Sequence, residues 1–143
     1  KSLGATHTVN SQKQNAEEEI TKILKGGNGL DVFIDNTGQP KIIELGYVLL
    51  NKKGRLVLVG VPKHSNNINI HSLPLHFGKT LLGSHGGDSI PEEDIPRFQK
   101  LLKAGLIQLK PLISEYFSLN DINKAISGMI DGSITGRCLI KLS

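Results

Sequence analysis

Tryptophan is missing from this 143-residue chain, aromatic residues make up only 4% of it, and there is a single cysteine, Cys138. One cysteine rules out an internal disulfide and any cysteine-rich zinc site built from this chain alone. So few aromatics leave no stacking platform for bases, and the one core that 38% hydrophobic residues can build is a modest one. Charge of one sign is also thin: 17 Lys+Arg against 13 Asp+Glu give +4 with no block of like residues. The densest basic group, Lys52, Lys53 and Arg55, reads as a solvated helix end beside the following strand. No nucleic-acid partner is therefore expected. No apolar run is long enough to cross a bilayer and no stretch reads as a signal peptide, so a cytoplasmic setting away from a membrane is expected.

What is there alternates between strand and helix patterns. Residues 6–9 alternate and read as a short strand. Asn15, with Glu18 three residues on, is the start of a helix carrying Ala16, Ile20, Ile23 and Leu24 at helical spacing, and Gly26-Gly27 stop it. An apolar run at 30–34 follows, then Pro40 in the first turn of a second helix expected to end near Gly54, then a second apolar run at 55–61. This alternation argues for a parallel sheet. Further on, residues 80–83 read as a strand and 91–105 as a helix capped by Asp94. A broken strand is expected at 107–113, and a helix from Ser118 and Asp121 with Ile122, Ala125, Ile126, Met129 and Ile130 inward. Gly132 closes that helix before a last strand from Arg137 to Leu142.

Both long apolar runs end in glycine-bearing corners, Asp35-Asn36-Thr37-Gly38 and Gly60-Val61-Pro62. Open α/β sheets take their ligands at the carboxyl ends of parallel strands, so both corners are candidate cofactor walls. No Gly-x-Gly-x-x-Gly precedes them between a strand and a helix, and the chain opens at Lys1 without an initiator methionine. The expectation is a piece of a larger enzyme.

Five stretches carry a resemblance: Lys1-Ser2-Leu3-Gly4-Ala5-Thr6, Asp35-Asn36-Thr37-Gly38, Val57-Leu58-Val59-Gly60-Val61-Pro62, Gly78-Lys79-Thr80-Leu81-Leu82-Gly83 and Gly136-Arg137-Cys138-Leu139-Ile140. In this order and spacing the chain resembles the C-terminal part of a zinc-type medium-chain alcohol dehydrogenase. The resemblance implies an α/β fold: an incomplete Rossmann-like, doubly wound parallel sheet lacking its first two strands, followed by a small α+β C-terminal segment. Residues 1–85 would be the truncated dinucleotide-binding domain and 86–143 a segment of the parent's catalytic lobe.

It also implies roles. The backbone of Val59, Gly60 and Val61 would meet the nicotinamide end of the cofactor, where glycine allows close approach. Thr37 and Gly38 would line the cleft, unless Thr37 or Asn36 simply caps the next helix. Ser84 and His85 would close over the nicotinamide, His85 through its main-chain amide, while its imidazole, beside glycines, reads more readily as that of a loop residue than as an acid or base. Arg137 would reach the pyrophosphate or else merely open an exposed strand. The parent's cofactor would be NAD or NADP, its substrate an alcohol and the matching aldehyde or ketone. The resemblance places its zinc ligands in the missing lobe, outside this chain; separately, the histidines 7, 64, 71, 76 and 85 are too widely spaced to form a metal site here. A homodimer through the strand at 80–83 is expected. A zinc-free quinone-reductase-like member and a free-standing, non-catalytic nucleotide-binding or oligomerisation module remain as alternatives.

Overall fold

The computed structural model describes Lys1 and residues 3–142. The chain divides into two compact units, His7–Ile90 and a second made of Lys1–Thr6 with Pro91–Ser143.

The first unit opens with α1 (Ala16–Leu24). Asn15 caps it, its side-chain oxygen accepting from the amides of Glu17 at 3.1 Å and Glu18 at 3.3 Å. The acidic first turn suits the positive end of the helix dipole, and left-handed Lys25 ends the helix. Then come β1 (Leu30–Asp35), α2 (Pro40–Leu49), β2 (Leu50–Leu58) and, after a 3₁₀ turn at Leu73–Phe77, β3 (Thr80–Gly83). The strands are parallel in the order β1-β2-β3. The register sets Phe33 beside Leu56 and Leu56 beside Leu81. Against that face α2 buries Ile43 and Tyr47, which with Leu50 and Leu56 form the core. Gly46 is needed in α2 because a Cβ there would stand 2.5 Å from the Phe33 ring. The opposite face carries Val32, Ile34 and Leu82 exposed, Ile34 at 64%.

Three expectations change in this unit. Residues 6–9 form no strand, and β1 has β2 as its only neighbour among the described residues, so the sheet is not extended on that side. A short alternating stretch gains nothing from extension without a ladder to join. The second helix stops at Leu49, five residues before Gly54, and β2 starts at once. Gly54 lies inside β2, where a Cβ would stand 2.7 Å from the Leu30 carbonyl oxygen. It marks the irregularity at which pairing jumps from Leu30 with Leu50 to Val32 with Arg55. The second strand also ends earlier than the apolar run, at Leu58, because Val59 and Gly60 turn back on β1.

In the second unit, α3 (Pro91–Lys103) starts before Asp94, which sits in the first turn and pairs with Arg97 at 3.4 Å. The broken strand expected at 107–113 is a 3₁₀ turn at Lys110–Leu112 leading into β4 (Ile113–Ser118). After it come α4 (Ile122–Asp131), closed by left-handed Gly132, and β5 (Arg137–Lys141), parallel to β4. Only Ala125 and Gly128 of α4 are buried. Ile122, Ile126, Met129 and Ile130, expected inward, are exposed. The small face makes the close contact, since a Cβ at Gly128 would stand 2.5 Å from Ile134 Cδ1.

Candidate functional site

The last residue of β1, Asp35, is 1% exposed. Its Oδ1 accepts from the Thr37 amide at 3.0 Å and the Thr37 hydroxyl at 2.6 Å, and its Oδ2 from the Gly38 amide at 2.9 Å. This is the turn that an Asp two and three residues before small polar positions tends to make. The Thr37 hydroxyl accepts in turn from the Gln39 amide at 3.1 Å. Thr37 therefore serves the entry to α2, whose own N-cap, Gln39, makes no side-chain cap. Burial pushes the Asp35 carboxyl up, but the Thr37 hydroxyl and the Gly38 and Thr37 amides together hold it below the ordinary carboxylate value.

The second corner is built on the same residue. The Asp35 carbonyl accepts from the Val59 amide at 2.8 Å and the Gly60 amide at 2.9 Å. The contact is close enough to require glycine on both sides. A Cβ on Gly60 would stand 2.4 Å from the Gly38 nitrogen and 2.5 Å from the Thr37 nitrogen. One on Gly38, whose φ is +64, would stand 2.8 Å from the Val61 carbonyl. What is left open at this corner is specific. The carbonyls of Val59 and Gly60 and the amide of Val61 have no hydrogen-bond partner among the described residues, and Val61 is exposed.

The third segment follows β3. The Ser84 amide donates to the Leu58 carbonyl at 2.9 Å, which carries the β2–β3 pairing one residue past the strand. The Ser84 hydroxyl accepts from the Gly87 amide at 3.1 Å, and His85 is exposed just before the 3₁₀ turn Gly86–Asp88. The parallel register thus brings Thr37 and Gly38, then Val59 to Val61, then Ser84 and His85 to the carboxyl ends of three adjacent strands. Arg137 belongs to the other unit, where it opens β5 and is exposed.

Two residues that sequence reasoning passed over anchor this unit. One is Asp35, whose signal was available in Asp35-Asn36-Thr37-Gly38. The other is Lys79, which is buried and donates from Nζ to the Tyr47 carbonyl at 2.8 Å, with its ammonium 4.6 Å from the centre of the Tyr47 ring. Burial lowers its pKa. The Tyr47 hydroxyl donates to the His71 carbonyl at 2.8 Å, tying the loop before β3 to α2. Among the described residues no three His, Cys, Asp or Glu side chains gather to hold a metal ion.

Residues 1–104 match the family model of the zinc-binding dehydrogenases. The chain is 32% identical over 134 residues to an L-threonine 3-dehydrogenase of Caldanaerobacter subterraneus subsp. tengcongensis, a match covering 91% of the chain and 37% of that protein. It is 31% identical over 131 residues to an NAD-dependent alcohol dehydrogenase of Sulfolobus acidocaldarius, covering 89% of the chain and 35% of that protein. Among solved structures, benzyl alcohol dehydrogenase from Acinetobacter calcoaceticus superposes with a TM-score of 0.86 at 30% identity, over 99% of this chain and 38% of that one. The chain spans less than two fifths of the length of each of these relatives. With its parallel α/β sheet and paired glycine corners, the chain belongs to the zinc-binding dehydrogenase family.

Proposed function

We propose that the chain forms the nicotinamide-side wall of the cofactor cleft in an NAD(P)-dependent alcohol dehydrogenase, with Thr37, Gly38, Val59, Gly60, Val61, Ser84, His85 and Arg137 facing the dinucleotide. The observation that carries this is the corner at 59–61. A carboxamide has one acceptor oxygen and one donor NH₂ group. The Val61 amide and the Val59 and Gly60 carbonyls are the complementary set, left without partners among the described residues at the carboxyl ends of parallel strands. When bound, the nicotinamide supplies hydride exchange with the substrate carbon. The residues of this chain hold its plane, and the glycine at position 60 lets the two corners close on one another.

Zinc does not fit the described residues, which offer no cluster of metal-ligating side chains, so no step here runs through a metal. In this reading residues 86–143 belong to the parent's catalytic lobe, the parent oxidises an alcohol to an aldehyde or ketone in the cytoplasm, and two copies join along the β3 edge. No helix among the described residues is long and apolar enough to cross a membrane.

The test is a titration of ¹⁵N-labelled chain with nicotinamide mononucleotide and with NADH. Weak, millimolar binding is expected, with amide shifts centred on Gly60, Val61, Ser84 and His85. Shifts confined to other surfaces, or no shifts at millimolar ligand, refute the reading.

A further inference from the structure

Asp35 uses both of its acceptor groups on the two corners at once. Its carboxylate takes three donors from the β1–α2 turn, and its main-chain carbonyl takes two amides from the segment after β2. No lysine or arginine pairs with it among the described residues, so its negative charge is satisfied entirely by the turn it organises. The turn in turn fixes the other corner. The Gly38 nitrogen and the Thr37 nitrogen are the atoms that a Cβ on Gly60 would strike, and the Val61 carbonyl is the atom that a Cβ on Gly38 would strike. A shift of a few tenths of an ångström in either corner is therefore felt by the other. The three unpaired groups, Val59 O, Gly60 O and Val61 N, sit on the segment held this way.

We propose that Asp35 is a positioning residue of the cofactor cleft, setting the spacing of the Val59–Gly60–Val61 backbone groups through the Thr37–Gly38 turn without touching the ligand. The proposal rests on the cofactor-wall reading for its ligand, but its mechanical part is readable without any ligand. In Asp35→Asn the side chain keeps one acceptor oxygen and presents an NH₂ group to the Thr37 or the Gly38 amide, so a donor there loses its partner. Thr37→Val removes the hydroxyl that binds Oδ1 while leaving the carboxylate in place.

The experiment compares both variants with the wild-type chain by ¹⁵N–¹H spectra and amide hydrogen exchange, first free and then with nicotinamide mononucleotide. The expected result in the free protein is exchange at Val59 and Gly60 faster by about fivefold, the factor that one lost net hydrogen bond corresponds to. Shifts at Gly60 and Val61 accompany it, with α1 unchanged. Changes restricted to residues 37–39 in both variants overturn the proposal, because Asp35 would then only cap its own turn. If Asp35→Asn does not fold, Thr37→Val alone decides between these outcomes. With ligand, the expected result is weaker affinity of folded Asp35→Asn for nicotinamide mononucleotide, measured well below its unfolding midpoint. Unchanged affinity beside lowered stability means a purely structural role and overturns the proposal. Coupled changes at Val59 to Val61 in the free variants, together with no binding by the wild-type chain, would support the mechanical part and instead refute the cofactor-wall reading.

Discussion

Replacing Gly60 by alanine is the most direct probe of the paired corners. The added methyl would stand 2.4 Å from the Gly38 nitrogen and 2.5 Å from both the Asn36 carbonyl carbon and the Thr37 nitrogen. All three are main-chain atoms, and the Gly38 and Thr37 amides are already committed to Asp35. No flexible side chain can swing away, so the backbone of one corner must move. Overpacking of this kind costs about 1–3 kcal/mol, and main-chain neighbours put Gly60→Ala at the upper end, ~3 kcal/mol. Gly83→Ala is the matched control. It sits at the end of β3 with nothing within 4 Å of its would-be Cβ, so only the strand preference of alanine acts there, a gain of about 0.5 kcal/mol. Both variants lose similar freedom in the unfolded chain, so comparing them isolates the collision. The assay is urea unfolding followed amide by amide across α2 and β2, extrapolated to water. A Gly60→Ala stability within about 0.5 kcal/mol of wild type would show that the corners are not in contact.

Acid should weaken the same unit. Asp35 is held below its ordinary 3.8, so the unfolded chain takes up that proton first. Its contribution is complete above 3.8 and is lost as pH falls through the lower folded value. Unfolding curves from neutral to strongly acidic pH should show this loss in wild type and a flatter dependence in Asp35→Asn; equal slopes refute it. Asn15→Ala removes the acceptor for two helix-start amides and should cost α1 about 1 kcal/mol, read as faster exchange across Ala16–Leu24. Unchanged exchange would deny the cap. Light scattering should find a dimer joined along β3; a stable monomer at tens of micromolar with rapid exchange over Thr80–Gly83 excludes it. The purified chain with added zinc should turn over no simple alcohol with NAD or NADP, and turnover surviving repurification would contradict the reading.

Where local chemistry decides structure, the sequence was legible. Asn15 caps α1, Pro40 opens α2 and Gly132 closes α4, each because one side chain or its absence fixes a helix end. Reading failed where a partner decides. Residues 6–9 have strand-like alternation but no ladder beside them. Gly54 looked like a helix stop and is a packing residue inside β2. In α4 the bulky periodic residues looked like the inner face, yet Ala125 and Gly128 take the buried contact. At the site, glycine and strand ends marked both corners. The residue joining them did not stand out, because an aspartate at a strand end looks solvated until its carbonyl is seen to serve the neighbouring strand's exit.

Lys79 offers a use that follows from where its amine lies. At 8% exposure, with Nζ on the Tyr47 carbonyl and against the Tyr47 ring, it is shielded from acylating reagents while the unit is closed. The neighbouring lysines 52 and 53 are exposed to the same reagents. Labelling of Lys79 in a mass-spectrometric time course would therefore count openings of the α2–β3 junction one molecule at a time, a clock for local unfolding already installed in the chain.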